Sequence, residues 1–137
     1  MYCFLYALIA PLILLPVETF LPFPYLIEEI GKYILVTILY NDTSCNLKNW
    51  FWLKIMILGV LFTFSESMLY VFNIIRAGNI WLFPDRLALT GLLHVGTITL
   101  MYLGYRKGRI WALATFLMSI AIHYTYNVLI IGSAGLP

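Results

Sequence analysis

The chain has 137 residues, of which 63% are hydrophobic and 10% charged, and its net charge is +2. An average soluble domain carries roughly 25% charged residues, so this composition excludes a domain dissolved in water, and the small, scattered net charge excludes nucleic acid as a partner. With no Gly/Ser-rich or charged linker, residues 1–137 read as a single integral-membrane domain.

A membrane crossing needs about 20 mostly apolar residues, and five runs meet that need. They predict an all-α, polytopic transmembrane helix bundle of about five helices. The first run extends from Tyr2 to Leu21 and stops at Pro22 and Pro24. It lacks the Lys/Arg-rich start and small-residue cleavage site of a signal peptide, so it is expected to be a retained helix. The second, Ile27 to Tyr40, is short and leads into a polar loop, Asn41 to Asn49. The third runs from Trp50 to Ile75, the fourth from Leu87 to Tyr105 and the fifth from Ile110 to Ile131. Between the third and fourth, Arg76 to Arg86 contains Trp81, Phe83 and Pro84 and reads as an interfacial segment with an aromatic anchor. Cys3 and Cys45 give neither a disulfide framework nor metal-ligand spacing and are expected to be free thiols.

Five crossings put the N-terminus, the Asn41 to Asn49 loop and the Arg106 to Arg109 turn on one face. That face carries Lys48, Arg106, Lys107 and Arg109, with Lys54 close by, against Lys32, Arg76 and Arg86 on the other. The positive-inside rule therefore favours a cytoplasmic N-terminus, by a margin of one or two charges. A multi-pass protein of the cell (plasma) membrane is expected, with the lipid bilayer as its first partner.

The same threading places the polar residues in depth, at about 1.5 Å per helical residue. His94, Glu66 and His123 all fall roughly 12 to 15 Å below the second face, while Glu28 and Glu29 open the second helix on that side at a shallower level. Ionisable groups in hydrocarbon are costly and mark functional sites by default. Each has a plainer reading: one histidine can serve as an interhelical hydrogen bond, and Glu28 and Glu29 can complement a helix dipole with Lys32 as ion-pair partner. Glu66 has only Ser65 and Ser67 beside it, so a protonated buried acid or a metal ligand is expected. Asn127 follows His123 by one turn on the same face, and Glu18 has no definite role. The separate readings do not explain one shared depth on four helices.

Two histidines and a glutamate form the ligand set of several catalytic zinc sites, in which the fourth position holds water. Glu28 or Glu29 could supply a base and Asn127 an oxyanion donor, a combination that points to peptide hydrolysis. Non-proteolytic alternatives are a proton-coupled membrane transporter or an accessory membrane subunit using the Glu/His cluster, and a haem protein with His94 and His123 as axial ligands. Gly91 and Gly96 on the fourth helix, and Ala114, Ser119 and Ala121 on the fifth, are expected to let helices approach closely.

The order of motifs also resembles a family. Glu28-Glu29-Ile30-Gly31-Lys32 reads as E-E-x-x-K and Phe62 to Glu66 as F-x-x-x-E. His94 opens a His-x-Gly-x-x-Thr stretch that leads to Gly104-Tyr105, and His123 to Asn127 reads as H-x-x-x-N. The series resembles the PrsW family of intramembrane proteases, related to the CAAX-processing and bacteriocin-processing membrane proteases; Glu66 and Lys32 stand where the CAAX type has His and Arg. The resemblance implies a membrane-embedded metalloprotease that cuts membrane-anchored protein or peptide substrates with a glutamate-activated water. It makes Glu28 the general base, Glu29 its partner or a further metal-site carboxylate, and Lys32 the supporting charge. Glu66, His94 and His123 become the metal ligands, with Zn2+ as the expected ion and Asn127 in the catalytic set. In a metal-free version, like that argued for the CAAX branch, the glutamates hold the water while His123 and Asn127 bind the oxyanion. The chain is short for the family, and a homo-oligomer is compatible with it.

Overall fold

A computed structural model describes residues 2–41, 51–76 and 81–131. It is built from five helices: α1 (Tyr2–Phe20), α2 (Pro24–Asn41), α3 (Phe51–Arg76), α4 (Leu82–Lys107) and α5 (Arg109–Tyr126), the last continued by a π-helical turn, Asn127–Ile131. Three spans, Trp52–Val71, Phe83–Lys107 and Arg109–Leu129, are long and apolar enough to cross a membrane, and the apolar part of α1, Cys3–Val17, is shorter. The chain is a helical membrane protein. Residues 42–49 of the Asn41 to Asn49 loop, Cys45 among them, and the Glu18 side chain lie outside the described residues, as do residues 77–80 of the Arg76 to Arg86 connection; Asn41 itself ends α2.

Local chemistry sets the helix ends. Pro24 occupies the first position of α2, where its missing N–H costs nothing, so this helix starts three residues before the expected Ile27. Likewise α4 starts at Leu82 rather than Leu87. Pro84 falls within its first turn, whose N–H groups have no intrahelical acceptor, so the proline is tolerated there. That extension draws Arg86 into the helix. Between α4 and α5 only Gly108 is non-helical, with φ 123°, a backbone conformation that side-chain-bearing residues rarely adopt. Threonine hydroxyls that would be stranded in hydrocarbon bond back to the preceding turn: Thr63 donates to the Gly59 carbonyl at 2.7 Å and Thr99 to that of Val95 at 2.7 Å.

α4 is the hub, packing on α2, α3 and α5, while α1 packs on α2 and α3. Burial is inverted relative to a water-soluble protein. Leu92 and Ile110 are 74% and 84% exposed, whereas Lys32, Glu29 and His94 are 0% exposed. Lipid is as apolar as these outer faces, so close packing and interhelical hydrogen bonds must hold the bundle together. The bundle divides into two halves. Cys3 and Ala7 of α1, Leu35, Val36 and Leu39 of α2, Ile55 and Leu58 of α3, and Ile98 and Met101 of α4 form an apolar core at one end. The buried carboxylates and histidines occupy the other end.

Two expectations are corrected here. The close approach of α3 to α4 is made by Gly59, where an added Cβ would lie 2.9 Å from both the Cα and N of Val95. A Cβ on Gly91 would come no nearer than 3.8 Å to Thr63 Oγ1, and one on Gly96 would meet nothing within 4 Å, because neither glycine points at a neighbouring backbone. Of the small residues expected on α5, Ser119 is buried, and Ala114 and Ala121 are exposed. Cys3 is not a free thiol but disulfide-bonded.

Candidate functional site

The first half of α2 supplies Glu28, Glu29 and Lys32, the second half of α3 supplies Glu66, the first half of α4 supplies Arg86, Thr90 and His94, and α5 supplies His123. All eight are buried. Helical spacing explains their convergence: Arg86, Thr90, His94 and Thr97 follow at i, i+4, i+8 and i+11, one continuous stripe on α4.

The charges are arranged as two parallel triads. In the first, Lys32 Nζ donates to Glu29 Oε1, and that same oxygen lies 2.7 Å from His123 Nδ1. Lys32 also reaches Thr97 Oγ1 at 3.4 Å and sits 5.6 Å from the Phe62 ring centre. In the second, Arg86 Nη2 donates to Glu66 Oε1 at 3.3 Å while Glu66 Oε2 lies 2.5 Å from His94 Nε2. The Arg86 guanidinium stacks 4.0 Å from the centre of the Tyr70 ring. The two histidine rings, 5.9 Å apart and nearly perpendicular, bring the triads together.

Glu28 stands between them. Its Oε2 is 3.6 Å from His123 Nε2, beyond hydrogen-bond length. Ligand atoms of Glu28, Glu66 and His94 all lie within 4.8 Å of one another. This grouping differs from the expected Glu66, His94 and His123, and the reason is visible in His123. Glu29 holds its Nδ1 and so fixes the tautomer, leaving Nε2 as an acceptor beside Glu28.

A cavity of about 40 Å³ opens among Pro24, Glu28, Glu66, Arg86, His123 and Asn127, with Tyr70, Thr90 and Tyr126 completing its wall. One water needs about 10–15 Å³ of such space, so the cavity suits a cation and a water or two but not a porphyrin. Asn127 makes no side-chain hydrogen bond among the described residues, so its amide is available to a ligand. The π-helical turn begins at this residue, whose N–H is shared between the carbonyls of His123 and Tyr124. Such turns are uncommon and recur at functional sites.

The donor set suits a divalent metal on three counts. Two carboxylates and an imidazole converge. Three glutamates face two cations, so one negative charge remains when both histidines are neutral. In addition, His94 Nδ1 is buried with no hydrogen-bond partner among the described residues, a state that is costly without a ligand. Such O and N donors fit zinc.

Arg86 is the residue that the sequence reading missed as a site component, because it was assigned to a surface connection. Glu66 consequently has a cation at hand after all, 20 residues away along the chain. The signal was present in the i, i+4, i+8 spacing from Arg86 to His94, once the helix is allowed to begin before Pro84. Tyr70 and Tyr126 carry no comparable signal. The chain matches no protein-family model, no curated protein and no solved structure.

Proposed function

We propose that the chain is an intramembrane endopeptidase of the kind the PrsW resemblance implies, hydrolysing a peptide bond of a membrane-anchored protein or peptide at the polar layer. The observation that carries this reading is the Glu29–His123 pair: a buried carboxylate on Nδ1 leaves Nε2 free to act as base at a cavity whose wall includes Glu28 and Glu66, two of the three grouped metal-type donors. Glu28, Glu66 and His94 would hold the ion, and zinc bound there would polarise the scissile carbonyl and lower the pKa of water toward about 7.

The chain's own groups supply the rest. His123 Nε2 takes the proton from the attacking water and Glu29 stabilises the imidazolium, itself kept anionic by Lys32. Asn127 and Arg86, both lining the cavity, donate to the carbonyl oxygen as it gains charge. His123 then returns the proton to the departing amine as the C–N bond breaks, leaving a new carboxylate and a new amine. Glu28 and His123 thus exchange the roles that the motif series assigned to them.

We place the protein in the cell membrane with its N-terminus cytoplasmic, as Arg106, Lys107 and Arg109 favour. The Cys3 disulfide, a bond favoured in oxidising compartments, pulls the other way. Three cations in four residues outweigh a single bond whose second half lies outside the described residues.

Cleavage tests the proposal. Purified protein in proteoliposomes, given zinc, should cut a membrane-anchored peptide; a chelator should stop it and added zinc restore it. Glu28→Gln, which removes a donor while keeping its shape, should abolish cutting. A peptide left intact by the zinc-loaded protein, or cut equally by the variant, contradicts the reading.

A further inference from the structure

The opposite end of the bundle carries a second polar feature that the proposed chemistry does not use. Among the described residues, Glu28, Glu29, Glu66 and Asp85 lie in the half that holds the polar layer, and Asp42 lies outside the described residues. At the far end Arg106, Lys107 and Arg109 flank the Gly108 turn, all exposed, and none forms an ion pair among the described residues. Beside them is a cavity of about 480 Å³ lined by Tyr33 of α2, Tyr105 of α4, and Gly108, Arg109 and Ala112 at the start of α5. Positive charge with no ion-pair partner among the described residues, next to a cavity with two tyrosines and an arginine in its wall, complements an anion with several acceptor oxygens.

The setting identifies the anion's source. Tyr33, Tyr40 and Tyr105 cluster here, with ring centres 6.2 Å apart for Tyr33 and Tyr105 and 4.9 Å apart for Tyr40 and Tyr105. Lys107 lies over the Trp111 ring at 5.1 Å. Tyrosine and tryptophan mixed with basic residues at the end of apolar spans mark the headgroup level of a bilayer. Directly below, Ile110 and Leu113 are 84% and 59% exposed, an apolar flank suited to acyl chains.

We propose that this cavity binds the phosphate of an anionic phospholipid, with Arg109 as the charged contact and the Tyr33 and Tyr105 hydroxyls as donors. Basic pockets between membrane helices hold headgroups of this kind. The site is independent of the proteolytic reading, so either can fail alone.

Native mass spectrometry of the detergent-purified full chain, exposed to equal phosphatidylglycerol and phosphatidylcholine, tests it. The wild type should retain phosphatidylglycerol in preference. Arg109→Gln should reduce that retention about fivefold or more, in line with one lost cation at a lipid surface. Tyr33→Phe with Tyr105→Phe, which keeps the rings, should also reduce it. Lys54→Gln removes a cation from the same end but outside the cavity wall and should retain lipid as the wild type does. Equal retention of the two lipids overturns the proposal, as does a loss in Lys54→Gln that matches Arg109→Gln. Thermal protection by inorganic phosphate equal to that by phosphatidylglycerol would assign the site to a free anion and overturn the lipid assignment.

Discussion

His123→Ala should lower turnover of a membrane-anchored peptide by about two to four orders of magnitude, the usual contribution of a positioned acid or base, without unfolding the bundle. The expectation follows from two contacts. Glu29 Oε1 is 2.7 Å from His123 Nδ1, and on the other side of the ring Nε2 stands 3.6 Å from Glu28 Oε2. Removing the ring leaves Glu29 still paired with Lys32, so no buried charge is stranded and the packing cost is that of one side chain on α5. That helix is the least enclosed of the spans, with Ala112, Ser119 and His123 as its buried residues. Loss of activity at an unchanged thermal midpoint would therefore report chemistry. Activity within a few-fold of the wild type would remove His123 as the base.

The largest structural effect is expected at Lys32. Its amine is fully enclosed and pairs with Glu29, which is enclosed as well. Breaking one side of such a pair typically costs 3–5 kcal/mol because the remaining charge is left without compensation. Lys32→Ala should therefore lower the thermal midpoint in detergent by many degrees, whereas Lys32→Met combined with Glu29→Gln should recover most of the loss. The pairing energy is the non-additive part of the cycle formed by Lys32→Met, Glu29→Gln and their combination. A single Lys32→Ala variant as stable as the wild type would show that the ion pair is not what holds α2 in place.

These contacts also show what the sequence could and could not convey. Five helices were legible because runs of about 20 apolar residues are unambiguous at this composition, and the shared depth of Glu66, His94 and His123 follows from helical rise alone. Glu29 and Lys32, three residues apart, could be paired from the sequence. The link from Glu29 to His123 could not, because it joins residues 94 apart through the packing of α2 on α5. Arg86 was obscured by Pro84, which reads as a helix breaker unless the helix starts just before it. Gly91 and Gly96 looked like contact points beside His94, but a glycine matters only where its open side meets a neighbour, as Gly59 does against Val95 and Gly104 against Thr115 and the Trp111 carbonyl. The oxidation state of Cys3 depends on a partner brought close by the fold, which spacing alone does not reveal.

The central claim is that His94 belongs to the ion-holding set and His123 to the proton-transfer pair. Metal content of the zinc-equilibrated, detergent-purified protein measures this directly, in the wild type and in the His94→Ala and His123→Ala variants. The account predicts about one zinc per chain in the wild type and in His123→Ala, and none in His94→Ala. Zinc lost equally from both variants would return His123 to the ligand set, and a wild type without zinc would contradict a metal centre altogether.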